Sequence, residues 1–377
     1  MAKHTGAAVD KGAPGTVVSP SFARRPRACS TAVMKLDAPL LTTDPTAVAA
    51  EARALERIGF DGTFTFEGPH DPFFPLAFAA EHTTRLEVAT AVAIAPPRSP
   101  MQLAHTAHDL NVLAGGRLIL GLGSQVKAHV EKRYGATWSR PLARMREFVL
   151  ALRAIWRCWN ENAPLQFRGE LYRHTLMTPF FNPGASPYGP PRVFLGGVGT
   201  AMTTVVGEVA DGLFVHPMHS PAFLRAVTLP ALETGLATSG RTHADCAIAC
   251  QALVITGYDE QAYRHAETTT RMQLAFYAST PQYRVVLDTH GWGDVQPELN
   301  RMAKEGRWLE MAELVDDAML AAFTVRCERP ADVAPALRAR YEGLAVERLA
   351  LLCHSDPHRT DPEAWAEVLA ALHAMGE

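Results

Sequence analysis

Short apolar runs alternate along the chain with longer stretches in which apolar residues recur every three or four positions. The clearest run is Arg117–Gly123, which gives way at Ser124 to a stretch carrying Gln125, Lys127, His129, Glu131, Lys132 and Arg133. A short, β-compatible run that ends in glycines reads as a buried strand. Polar residues at its exit are what an α/β enzyme shows at the carboxyl edge of its sheet, where active sites collect. Seven further runs read as strands: Thr31–Leu40, Gly62–Phe66, Arg85–Ala95, Arg192–Gly197, Gly212–His216, Cys246–Thr256 and Arg348–His354.

Helical patterns fill the intervals. Asp44 as N-cap and Pro45 at the first position predict a helix with Ala47, Ala50, Ala54, Leu55 and Ile58 as its buried stripe, ended by Gly59. Pro72–His82 follows. Ser99 and Pro100 open a third helix through Leu113, closed by Gly115 and Gly116. Pro141–Trp159, Thr200–Ala210, Ser220–Thr238 and Asp361–Met375 complete the regular set. Two segments interrupt the alternation. Residues 164–191 are Pro-rich and aromatic, and 258–342 read as mostly helical with a break at Thr289–Asp294. Both are expected to cover the mouth of the fold and set substrate choice. Eight strands alternating with helices predict an α/β fold, a (β/α)8 TIM barrel with insertion segments. It is expected to form a single domain over 31–377, behind a flexible extension at 1–30.

Composition narrows the class. The chain has 377 residues, 47% hydrophobic and 20% charged, enough to bury a large core. A net charge of −3 gives no electrostatic case for nucleic acid or an anionic membrane, and no apolar run is long enough to span a bilayer. Arg24 and Arg25, or Ala28 and Cys29, would need an apolar segment to act as an export signal, and none is present. Six cysteines in so long a chain make no disulfide framework, so the reading is a reduced, cytoplasmic protein. Cys246 and Cys250, with His243 just before them, fit no common zinc spacing and are read as packing cysteines; no metal site is expected.

In such a barrel the residues after each strand line one cavity. That brings together Glu67, His70 and Asp71 after the second strand, and Gly121, Gly123, Ser124, Gln125, Lys127 and His129 at the end of the fourth. Gly196, Gly197, Val198, Gly199 and Thr200 follow at the fifth, His216 at the sixth and His354 at the eighth. Glu67 and His70 are candidate general acid and base, against the alternative of a solvated loop. The Gly196–Thr200 turn opens a helix and suits a phosphate, although a ligand-free tight turn reads the same way. It lacks the spacing of a dinucleotide fingerprint. Lys127 suits an anionic ligand or a surface role better than a Schiff base. Trp138 and Trp292 are candidate aromatic contacts.

Asp109–Arg117 followed by Leu118–Gly123 resembles the helix-to-strand signature of the bacterial luciferase-like monooxygenase superfamily. Gly121–His129, Arg144–Phe148, Gly169–Tyr172, Leu176–Pro179 and His290–Asp294 look like its coenzyme F420-dependent oxidoreductase branch. The resemblance runs from Met34 to the C-terminus. It implies a barrel holding coenzyme F420, or alternatively FMN, at the strand carboxyl ends. It also implies a cis peptide and bulge behind the cofactor ring, with Ala91 and Val92 as the matching pair. The Gly196–Thr200 turn matches the family's phosphate site. Related deazaflavin enzymes often carry Asp followed by His after the second strand, where this chain has Glu67, Gly68, Pro69 and His70, so the acid–base assignment stays open. The expected cofactor-binding set is Ala91, Val92, Gly121, Gly123, Ser124, Gly196, Gly197, Val198, Gly199, Thr200 and His216. The expected catalytic set is Glu67, His70, Lys127 and His129, with Arg133 near the acceptor or the cofactor's anionic tail.

The activity implied is hydride transfer between reduced deazaflavin and a small organic substrate. An FMN-dependent monooxygenase and a catalytically silent cofactor-binding subunit are the alternatives. The resemblance also implies a homodimer through the helices after the second and third strands, which are rich in small and apolar residues.

Overall fold

A computed structural model describes residues 34–40, 44–355 and 357–374. Each of the eight apolar runs is a strand: β1 Lys35–Pro39, β2 Gly62–Thr65, β3 Glu87–Thr90, β4 Leu118–Gly123, β5 Arg192–Gly197, β6 Gly212–Val215, β7 Ala247–Ile255 and β8 Arg348–Cys353. All pair in parallel in chain order, and β8 returns to β1 through Lys35 opposite Arg348, which closes the barrel. The strands are buried nearly throughout because helices cover the outside and the interior is filled. Phe64, Ile119, Phe194 and Phe214 with Ala89, Ala247, Ala249 and Ala350 form that interior. The expected (β/α)8 barrel is therefore observed.

The outer ring is α1 Val48–Ile58, α2 Phe73–His82, α3 Pro100–Leu113, α4 Pro141–Glu161, α5 Thr200–Val209, α6 Leu229–Thr238, α7 Val333–Tyr341 and α8 Pro362–Ala374. α1 begins later than Asp44 suggested. The Asp44 carboxylate accepts from the Thr46 amide and hydroxyl, which holds a turn over 44–47, and the helix starts at Val48. The extension at 1–30 and Thr31 to Val33 of the first predicted strand lie outside the described residues.

A polar network closes the floor of the barrel, at the amino ends of the strands. Arg348 pairs with Asp37 at 2.5 and 2.9 Å and also with Glu87, which accepts from Lys35 at 2.7 Å and Arg192 at 2.8 Å. Catalytic chemistry on this fold belongs at the opposite end.

The two irregular segments take different places. Residues 164–191 start beside the first turns of α4. Their hairpin, Phe167–Arg168 against Arg173–His174, is held by Glu147 of α4, which accepts the Glu170, Leu171 and Tyr172 amides. Their later part reaches the floor, where Asn111 donates to the Gly189 carbonyl. The second segment is helical as expected, with Glu260–Ala278, Val295–Lys304 and Asp317–Phe323 packed into their own apolar cluster against Leu253 and Ile255 at the upper end of β7. A short strand, Thr324–Arg326, extends the sheet there by pairing with Leu253–Ile255. Cys246 and Cys250 are buried as packing residues.

Candidate active site

The mouth is organised by a break in the third strand. β3 pairs with β4 through Val88 and Ala89, the ladder stops, and pairing resumes at Ala93 and Ile94 opposite Leu122 and Gly123. The Ala91–Val92 peptide bond within the gap is cis, as the resemblance implied. The Thr90 side chain takes over from the missing ladder. Its hydroxyl donates to the Gly121 carbonyl at 2.7 Å and accepts from the Gly121 amide at 2.9 Å. A Cβ at position 121 would overlap the Thr90 carbonyl, so only glycine lets the two strands approach this closely.

Glu67 fastens the far side of the gap. Its amide donates to the Val92 carbonyl at 3.2 Å, and its carboxylate accepts from the Ile94 amide at 2.7 Å and from Arg98 at 2.5 Å. Arg98 also donates to the Ile94 carbonyl at 2.7 Å. The Glu67 side chain is 8% exposed, and burial together with this carboxylate pushes the neighbouring Tyr134 phenol up. His70 is exposed on the same loop, and Asp71 caps α2 by accepting from the Phe73 and Phe74 amides.

Val92 meets the ends of two other strands. A Cβ at Gly123 would lie 2.5 Å from one Val92 γ-carbon, and one at Gly196 would lie 3.6 Å from the other. Ala91, Val92, Gly123 and Gly196 thus form a backbone shelf with few side chains. Beside it, Gly199 is the extended N-cap of α5, and a Cβ there would meet nothing within 4 Å. Gly197 is tightly packed on Thr203 and Leu213, Val198 leans on the inserted helices, and Thr200 is exposed.

The exit of β4 is shaped by Gln125, which has a φ of 57° and folds its own side chain back to accept from the Val126 amide. Ser124 is half-buried before it. The polar stretch that follows is a short helix, Lys127–Lys132, rather than a loop. It anchors through buried Val130 and presents Lys127 and His129 to solvent, with Lys127 4.0 Å from Glu131. Arg133 reaches across to donate to the Gly68 carbonyl.

His216 ends β6 between two tyrosines of the insertion, with ring centroids 4.2 Å from Tyr283 and 4.6 Å from Tyr277. Burial, helped by His219, pushes its pKa down to about 3. His354, at the exit of β8, bonds Gln273, whose amide donates to the Tyr277 hydroxyl.

The family model described as luciferase-like monooxygenase matches residues 29–348. The chain belongs to the luciferase-like monooxygenase family. An uncharacterized Mycobacterium tuberculosis protein is 52% identical over 302 residues, covering 80% of this chain and 88% of the relative. The 5,10-methylenetetrahydromethanopterin reductase of Archaeoglobus fulgidus is 27% identical over 278 residues, covering 72% and 79%. In fold, the chain is similar to the coenzyme F420-dependent tetrahydromethanopterin reductase of Methanopyrus kandleri, with a TM-score of 0.71 at 19% identity over 89% of this chain and 97% of that one.

In this luciferase-like barrel the expected residues fall into two groups. Val92, Gly123 and Gly196 touch or nearly touch, Gly121 is packed against the residue preceding Ala91, and Gly199 and Thr200 stand at the adjoining helix end. Lys127 and His129 stand apart on an exposed helix. Sequence reasoning missed Thr90, Arg98, Tyr134, Gln273, Tyr277 and Tyr283. Thr90 and Arg98 flank the Ala91–Val92 pair at short range, which was a usable signal. The three from the insertion reach the mouth only through tertiary packing.

Proposed function

We propose that the protein is a coenzyme F420-dependent oxidoreductase that transfers a hydride between the deazaflavin and a small organic substrate. The carrying observation is the shelf of Ala91, Val92, Gly123 and Gly196, whose only side chains are small and apolar, beside a helix N-terminus whose Gly199 opens onto free space. A flat ring fits a surface of glycines and small apolar side chains, and a phosphate fits exposed amides at a helix start. The residues present therefore fit the cofactor. Gly121 and Ser124 would support the ring edge, and Gly197, Val198 and Thr200 would complete the phosphate turn. F420 and methanopterin in the names of similar proteins support the same cofactor.

When bound, the deazaflavin supplies a two-electron hydride donor or acceptor. The chain's own residues hold the shelf, keep the strand break in place and manage one proton. Reduction adds the hydride to one substrate atom and a proton to the atom that receives the displaced electron pair. His70 is the exposed candidate for that proton, since the Glu67 carboxylate already holds Ile94 and Arg98. Lys127 and Arg133 add positive charge on the β4 side, with His129 beside them, suited to an anionic tail. The protein is proposed to act on a small molecule as a homodimer, and no described helix is long and apolar enough to cross a membrane.

The family's own description favours one other reading, a monooxygenase, for which FMN is the alternative cofactor. Equilibrium binding of oxidised F420 and of FMN, followed by fluorescence, separates the two. Micromolar or tighter F420 binding with weak FMN binding is expected. Gly199→Ala should weaken F420 about tenfold while leaving the melting temperature unchanged, because its Cβ enters open space. The reverse cofactor preference, with oxygen consumption, would establish the monooxygenase. Binding of neither would leave a silent subunit.

A further inference from the structure

His216 closes the β6 side of the mouth with one ring nitrogen committed and one unused. Nδ1 accepts from the Met218 amide at 3.2 Å, so a neutral ring carries its proton on Nε2. Nε2 has no partner among the described residues, and none of the six buried polar side-chain atoms lacking a partner belongs to His216. The ring is clasped by Tyr283 and Tyr277, and the backbone carbonyl behind it accepts from Nδ1 of His219. His219 is itself bonded to the Tyr341 hydroxyl at 3.0 Å, so the whole turn is held. Beside it, Gln273 bridges His354 and Tyr277. Burial keeps the imidazole in its neutral form at ordinary pH.

From this geometry we infer that His216 Nε2–H binds the oxygen of an uncharged substrate, a carbonyl compound or the corresponding alcohol with an apolar or aromatic body. The inference rests on the proposed F420-dependent function and names its substrate class. A neutral N–H between aromatic rings donates to a neutral oxygen at little desolvation cost, whereas a carboxylate or ammonium placed there costs more to desolvate than one neutral donor returns. His216 then faces the substrate, not the cofactor.

The test uses three probes of one shape on the F420-loaded protein: acetophenone, benzoate and benzylamine, titrated by ligand-observed NMR. Acetophenone is expected to bind at least about tenfold tighter than either ion. His216→Phe keeps a ring between the tyrosines and should weaken acetophenone about tenfold, while His216→Gln, which restores an N–H donor, should recover part of the loss. F420 affinity, read separately by fluorescence, should be unchanged in both variants. Tighter binding of benzoate or benzylamine overturns the inference, as does no acetophenone binding below about 10 mM or an unaltered acetophenone affinity in His216→Phe. Weakened F420 with unchanged acetophenone would make His216 a cofactor ligand. Failure of the wild-type protein to bind F420 would overturn the functional reading and this inference together.

Discussion

The Ile94 amide donates to the Glu67 carboxylate at 2.7 Å across the break in β3. Glu67, a candidate for the acid–base role, thus braces the strand break. Glu67→Ala removes the acceptor for a buried amide and the partner of Arg98. It should cost about 2–3 kcal/mol in urea unfolding and lower F420 affinity. Glu67→Gln, which keeps an acceptor for Ile94, should lose less on both counts. An Ala variant as stable as the wild type would remove the bracing role.

Thr90 offers a second test of the same region. Its hydroxyl makes two bonds to Gly121 in place of a strand ladder, and the residue is fully buried. Thr90→Val preserves the shape and leaves the Gly121 amide and carbonyl without those partners. The expected loss is about 2 kcal/mol, measured by chemical denaturation.

The barrel floor predicts a pH dependence. Burial works to raise the Glu87 carboxyl, but the charges of Arg348, Arg192 and Lys35 outweigh it and hold the pKa at about 2, against an ordinary 4.5. A depressed carboxyl contributes stability that is fully present above its unfolded pKa and lost as pH falls through its folded one. The contribution is about 3 kcal/mol at neutral pH. The stability difference between wild type and Glu87→Gln should be constant from pH 7 to 5 and shrink below about pH 4.5. A difference that grew on acidification would contradict the assignment.

Association is tested on α2 and α3. Phe74 is 70% exposed and Phe78, one turn later, 37% exposed, with Leu113 48% exposed on α3. Apolar side chains so placed suit burial against a second copy. Light scattering at micromolar concentration should give a dimer mass for the wild type and a monomer mass for the Phe74→Glu, Phe78→Glu double variant. A monomeric wild type would end the homodimer reading.

The sequence by itself determined the eight strands, the order of alternating helices and the end of the barrel where chemistry collects. These follow from local signals: apolar runs of strand length, helical periodicity, and glycines or prolines at the boundaries. The Gly121–Gly123 and Gly196–Thr200 glycines were legible for the same reason. Tertiary structure decided what each polar residue does. Glu67 and Arg98 are 31 positions apart and become partners only because β2 and β3 lie side by side. His216 acquires its neutral, oriented ring from Tyr277 and Tyr283, more than 60 residues downstream. Burial and partner charge set those roles, and both depend on distances that no local pattern encodes.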